Sequence, residues 1–213
     1  MEREDGTQLF LTLETGESAV DRLAAALAAT PIPSVLLVPP AGQAFDLTAT
    51  KQLVDLAQSK GAAALLFGDA DLARQLGADG VHLQDGRDLE DRYRAARKTL
   101  GSNKIVGAHV SSRHDAMVLG EQGADYVAFG LLPEFAQWSE EARERQCELI
   151  AWWAELFEVP CVALQIGTKD EAPMLANAGA DFVEVRVTSG DPLADVSEQL
   201  RSISERLAKT FAE

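Results

Sequence analysis

Eight short apolar runs, at residues 9–13, 34–38, 63–67, 80–83, 105–109, 126–129, 161–164 and 182–187, alternate with longer stretches carrying Ala, Leu, Glu and Arg at helical spacing. A strand covered on both faces reads as a continuous apolar run, and regular strand–helix alternation is the pattern of a parallel sheet wrapped by helices. The intervening segments, for example 88–100 and 140–157, are predicted helices. Eight such units in 213 residues leave only short connections, so the spacing predicts one (β/α)8 barrel over residues 1–213, with an open doubly wound sheet as the competing topology.

A weak internal repeat supports this division. Leu76-Gly77-Ala78-Asp79-Gly80-Val81, Gln122-Gly123-Ala124-Asp125-Tyr126-Val127 and Ala178-Gly179-Ala180-Asp181-Phe182-Val183 each stand where a helix should end and a strand begin. Glycine just past a helix can take a left-handed conformation, and the Asp can bond turn backbone before the next strand. These turns belong at the bottom of a barrel, away from chemistry.

Composition narrows the function classes. Nineteen Lys and Arg against 34 Asp and Glu give a formal net charge of −15, which disfavours general attraction to nucleic acid or anionic membrane. No window holds about 18 uninterrupted apolar residues, and the acidic start MEREDGTQ is unlike a signal peptide, so a soluble cytoplasmic protein is expected. The two cysteines, Cys147 and Cys161, lack metal-ligand spacing and form no disulfide framework.

The run Asp69-Ala70-Asp71-Leu72-Ala73, then Leu76-Gly77-Ala78-Asp79-Gly80-Val81-His82-Leu83, Ile105-Val106-Gly107-Ala108-His109 and Gly123-Ala124-Asp125-Tyr126-Val127-Ala128-Phe129-Gly130, resembles the thiamine phosphate synthase/thiazole tautomerase family in order and spacing. Val159-Pro160-Cys161-Val162-Ala163 and Ala178-Gly179-Ala180-Asp181 extend the likeness. The resemblance implies a (β/α)8 barrel and an activity that joins a hydroxymethylpyrimidine diphosphate to a thiazole phosphate with magnesium, releasing pyrophosphate.

The motifs that carry this chemistry are altered. After the second strand the family has Gln-x-Arg-x-Lys, which grips diphosphate; here Val38-Pro39-Pro40 supplies no cation. The Asn-Asp-Asp element after the third strand becomes Phe67-Gly68-Asp69, with one carboxylate. The family's His-x-Gly-Gln-x-Asp becomes His82-Leu83-Gln84-Asp85-Gly86-Arg87-Asp88, so Asp69 and Asp88 are the candidate ligands for magnesium, if it binds. The Lys-bearing loop after the sixth strand is replaced by residues 131–138, which hold no Lys, and Gly-Ile-Gly-Gly-Ile after the seventh becomes Ala163-Leu164-Gln165-Ile166-Gly167. The catalytic His of the tautomerase branch falls at Ser111, with His109 two residues earlier.

Strand alternation sorts side chains between lumen and helix layer. In the fourth strand Val81 and Leu83 should meet helices, leaving Gly80, His82 and Gln84 inward; in the seventh, Val162 and Leu164 should face outward and Gln165 inward. In the eighth, Val183, Val185 and Val187 form the apolar parity, so Glu184 and Arg186 are expected to pair in the lumen, as a structural ion pair or as a polar site wall. His82 and His109 should end adjacent strands at the functional face, as acid–base groups or as neutral hydrogen-bonded residues, while His114 is read as solvated. Leu149, Trp152, Trp153 and Leu156 make an apolar stripe for packing or a homo-oligomer interface rather than, with Trp138, a ligand platform. The acidic run 140–148 reads as a solvated face.

The expected site therefore comprises His109 and Asp69 as catalytic groups, with Glu14, His82, Gln84, Gln165, Gly167, Glu184 and Arg186 around a phosphorylated thiazole or pyrimidine. Loss of the diphosphate-binding cations predicts weak or absent synthase activity. The alternative is a non-catalytic paralogue that binds a related small ligand or a protein partner.

Overall fold

The computed structural model describes residues 6–130 and 139–210. Its strands are β1 (Gln8–Glu14), β2 (Ser34–Val38), β3 (Ala63–Phe67), β4 (Gly80–Leu83), β5 (Ile105–Val110), β6 (Tyr126–Phe129), β7 (Cys161–Ala163) and β8 (Phe182–Val187). They alternate with α1 (Ala19–Ala29), α2 (Leu47–Ser59), α3 (Ala70–Leu76), α4 (Leu89–Leu100), α5 (Arg113–Glu121), α6 (Glu140–Leu156), α7 (Glu171–Asn177) and α8 (Leu193–Thr210). Neighbouring strands pair in parallel in chain order, and β8 closes on β1. The barrel is closed, so the doubly wound alternative falls.

The repeated Gly-Ala-Asp turns join the bottom of the barrel by the same bonds each time. Gly77, Gly123 and Gly179 take φ of 71°, 84° and 104°, a region that L side chains enter only with strain. The following Asp then grips the preceding strand with both its groups. Asp79, Asp125 and Asp181 donate their N–H to the carbonyls of Ala64, Val106 and Cys161 at 2.7, 3.2 and 3.0 Å. Their carboxylates accept the N–H groups of those same residues at 2.9, 2.7 and 2.7 Å. Each turn thus satisfies the buried polar backbone at the start of a strand.

Two apolar layers result. Val81, Leu83, Val183, Val185 and Val187 pack with the helices as expected. Phe10, Leu36, Leu65, Tyr126, Ala128, Val162 and Leu164 fill the lumen. The parity expected for β7 is therefore reversed: Val162 and Leu164 face inward, and Cys161 and Ala163 face the helices. Both faces of this strand are apolar, so hydrophobicity alone could not orient it; the smaller pair lies under the helices and the larger pair fills the barrel.

Helix α6 carries two kinds of residue on its first turns. Glu140, Glu141, Glu144 and Glu148 are exposed, as read from the sequence, whereas Arg143 and Gln146 are buried beneath them. Further along, Trp153 is fully buried, donates from Nε1 to the Val159 carbonyl at 2.7 Å and stacks on Phe157. Trp152 is partly buried under Arg113, Leu156 is exposed, and Trp138 lies outside the described residues. The described part of the stripe is mainly core packing.

Candidate functional site

At the C-terminal end of the strands a cavity of about 480 Å³ opens from the lumen to solvent. Seven of the residues expected from sequence line it: Glu14 from β1, His82 and Gln84 from the end of β4, His109 from β5, Gln165 beyond β7, and Glu184 and Arg186 from β8. The remaining three stand apart from the lining. Asp69 caps α3, its Oδ1 accepting the Leu72 N–H at 2.8 Å; Asp88 Oδ1 accepts from Arg92 Nε at 3.0 Å; Gly167 gives its N–H to Glu171 at 2.8 Å. The last segment considered for a cation, 131–138, lies outside the described residues.

The floor is built by strand register. Phe67, His82, Gly107 and Tyr126 are consecutive partners across β3 to β6. A Cβ at Gly107 would lie 2.2 Å from the Tyr126 ring, so the missing side chain is what lets this ring lean over β5 toward His82. The His82 ring stacks between Phe67 and Tyr126, and its Nδ1 is hydrogen-bonded to the Tyr126 hydroxyl at 2.8 Å. Burial, helped by nearby His109, pushes the His82 pKa down to about 3, and burial pushes the Tyr126 phenol well above its usual value. Both groups are neutral near pH 7. Of this uncharged stack Phe67 and His82 line the cavity, and the buried Tyr126 supports them from behind.

Above it sits His109, opposite Ala128 in the register. Burial lowers its pKa, while the Asp85 and Glu184 carboxylates oppose the shift. Its Nε2 is buried without a hydrogen-bond partner among the described residues, and so is Oγ1 of Thr12, a lining residue that is 2% exposed. Gly130 makes room at the end of β6: a Cβ there would stand 2.8 Å from His109 Nε2 and 3.1 Å from Gln165 Oε1. Unpaired buried polar atoms facing a cavity are what a ligand's ring nitrogen, amino or hydroxyl group can satisfy.

The expected Glu184–Arg186 pair is not formed. Glu184 is 4% exposed and its Oε2 accepts the Gln165 N–H at 2.6 Å, whereas Arg186 is exposed at the rim. Two residues along a strand is a rise of about 6.6 Å, enough here to put one group in the dry lumen and the next in solvent. Gln165 itself has φ of 61°. Glu184 holds its N–H from the lumen side and Arg143 donates to its carbonyl at 3.0 Å from α6. Arg143 also pairs with Glu171 at 2.6 Å, and Gln146 Nε2 donates to the Phe129 and Leu164 carbonyls at 2.7 and 2.8 Å. These two α6 residues fix the ends of β6 and β7 and had not been singled out in the sequence; nor had Thr12 or Tyr126.

The donors proposed for a divalent cation do not assemble one. Asp69 and Asp88 are exposed and engaged by their own helices, and no three His, Cys, Asp or Glu side chains converge among the described residues.

The sequence model of a family described as thiamine monophosphate synthase matches residues 13–188, taking in every lining stretch from Glu14 to Arg186. The chain belongs to the thiamine monophosphate synthase family. Thiamine-phosphate synthase of Rhodospirillum centenum is 44% identical over 141 residues, 65% of this chain and 66% of that protein. The corresponding protein of Erythrobacter litoralis is 45% identical over 129 residues, 59% of each chain. The matched part thus spans 66% and 59% of these two relatives' lengths, less than two thirds of each. Thiamine phosphate pyrophosphorylase from Pyrococcus furiosus superposes with a TM-score of 0.75 at 22% identity, covering 95% of this chain and 97% of that one. A tryptophan synthase structure from Mycobacterium tuberculosis reaches the same TM-score at 14% identity, so such superpositions speak to the barrel alone. Among the described residues no helix is long and apolar enough to cross a membrane.

Proposed function

We propose that the protein acts in thiamine biosynthesis by binding a heterocyclic thiamine precursor, thiazole or pyrimidine, in the cavity at the C-terminal face of the barrel. Its ring lies against Phe67, His82, Thr12 and His109, and a phosphoryl group, where the precursor carries one, is left toward the Arg186 rim. Transfer that expels pyrophosphate is weak or absent, because the developing negative charge on that leaving group must be met by preorganised cations or amides. The observation that carries this reading is the lining: Arg186 is its one cation among the described residues, against Glu14 and Glu184. Family membership supports the choice of ring chemistry, and the aromatic floor with two unpaired polar atoms above it supports a ring as the occupant.

Thermal-shift measurements with hydroxymethylpyrimidine, hydroxyethylthiazole, their phosphates and thiamine phosphate, with and without magnesium, test it. A ligand that binds only the folded state raises the melting temperature by mass action. At least one of these compounds should do so at millimolar concentration; a flat panel refutes the reading.

A further inference from the structure

Resting on that reading, we propose that the cavity selects an unphosphorylated N-heteroaromatic ring, uncharged or cationic, and discriminates against the phosphate ester of the same ring. Charge is the first reason. Glu14 and Glu184 face the cavity with only Arg186 to offset them among the described lining residues, and His82 and His109 add no positive charge near neutral pH. Arg87 and Lys169 sit on loops and Arg113 opens α5 at this end of the barrel, but none of them lines the cavity; Arg113 lies over the Trp152 ring at 4.9 Å.

The second reason is that the two backbone donors that follow β7 beside the cavity already hold carboxylates of this chain. The Gln165 N–H gives its bond to Glu184 at 2.6 Å and the Gly167 N–H to Glu171 at 2.8 Å, with Arg143 locking Glu171 in place. A phosphoryl group could use these amides only by displacing an internal anion of like charge. On the opposite wall Pro39 and Pro40 have no N–H to offer and the Gln43 N–H is held by the Pro40 carbonyl at 2.9 Å, so the backbone donors of that wall are confined to the exposed Ala41 and Gly42. What the cavity does offer suits a planar ring: the aromatic side chains of Phe67 and His82 in its lining, the unpaired Thr12 Oγ1 and His109 Nε2, and the Glu184 carboxylate for an amino or ring N–H group.

Titration calorimetry on the full chain at pH 7.5 decides it, comparing hydroxymethylpyrimidine with its phosphate and hydroxyethylthiazole with its phosphate. For whichever ring binds, the alcohol should bind at least tenfold tighter than the ester. Exchanging the rim charge by Glu14→Gln with Gln43→Lys should narrow that ratio about tenfold by tightening the ester, a gain that misfolding cannot imitate. An ester that binds as tightly as its alcohol, or a ratio unmoved by the exchange, overturns the selectivity and leaves the proposed function standing. Binding of neither ring in either form removes the proposed function, and this inference with it.

Discussion

Replacing Gly107 by Ala tests the link from sequence to the cavity floor. The added Cβ would meet Tyr126 Cε1 and Cζ at 2.2 Å, whereas carbon atoms rest about 3.5–4.0 Å apart, so more than 1 Å must open. Tyr126 has little room to withdraw: it is 6% exposed, packed on Phe10 with ring centres 5.8 Å apart and stacked on His82. Overpacking of this kind costs about 1–3 kcal/mol. Pulling the phenol off His82 leaves buried polar groups unpaired, about 1–3 kcal/mol more. A total near 4 kcal/mol, at about 2–4 °C per kcal/mol for a chain of this size, lowers the melting temperature by about 8–16 °C. Calorimetry on Gly107→Ala, Tyr126→Leu and the double variant should show strong coupling, because removing the ring relieves the clash in the double variant. A Gly107→Ala protein that melts within about 2 °C of the parent, with additive substitutions, would refute the packing argument.

Other outcomes follow from the same structure. His82 has its pKa depressed in the fold to about 3 from 6.5, so the unfolded chain binds the extra proton first; stability is complete above pH 6.5 and falls as pH drops toward 3. Melting curves across that range should steepen this loss for the parent and flatten it for His82→Gln. Asp125→Ala leaves the buried Val106 N–H without its acceptor and should cost about 1–3 kcal/mol by urea unfolding, with Asp125→Asn milder because an amide oxygen can still accept. Thr12→Val removes an unpaired buried hydroxyl and should raise stability by about 1 kcal/mol while weakening ring binding; destabilisation would show that the hydroxyl is satisfied in the apo protein.

The barrel was legible because its signals agree across levels. The valines of β8 occupy one parity and proved to face the helices, and the three Gly-Ala-Asp turns mark β4, β6 and β8. The parity of β7 was not legible, since Cys161-Val162-Ala163-Leu164 is apolar on both faces and only size distinguishes them. Seven of the expected residues line one cavity at the strand ends, yet the Glu184–Arg186 pairing was misread because alternation fixes the face and not the depth. Arg143 and Gln146 were hidden in an acidic run, although they share their face with Ile150 and Trp153 at spacings of three and four, a helical pattern that would have marked them as inward. Thr12 stands between Leu11 and Leu13 with the parity of Phe10 and Glu14, and polarity at a lumen position was its only signal.

Among the described residues that line the cavity Arg186 is the one Lys or Arg side chain, and the proposed weak or absent synthase step depends on that shortage of cations. Pyrophosphate release from hydroxymethylpyrimidine diphosphate, with saturating thiazole phosphate and magnesium, measures this directly. Losing one preorganised charge contact lowers a rate by a factor of about 100–1000, so two such losses from a typical turnover of about 10 per second leave about 0.001 per second or less. The expected release is below about 0.01 per second; steady release near one per second or faster would show that the leaving group is held after all and would contradict the account.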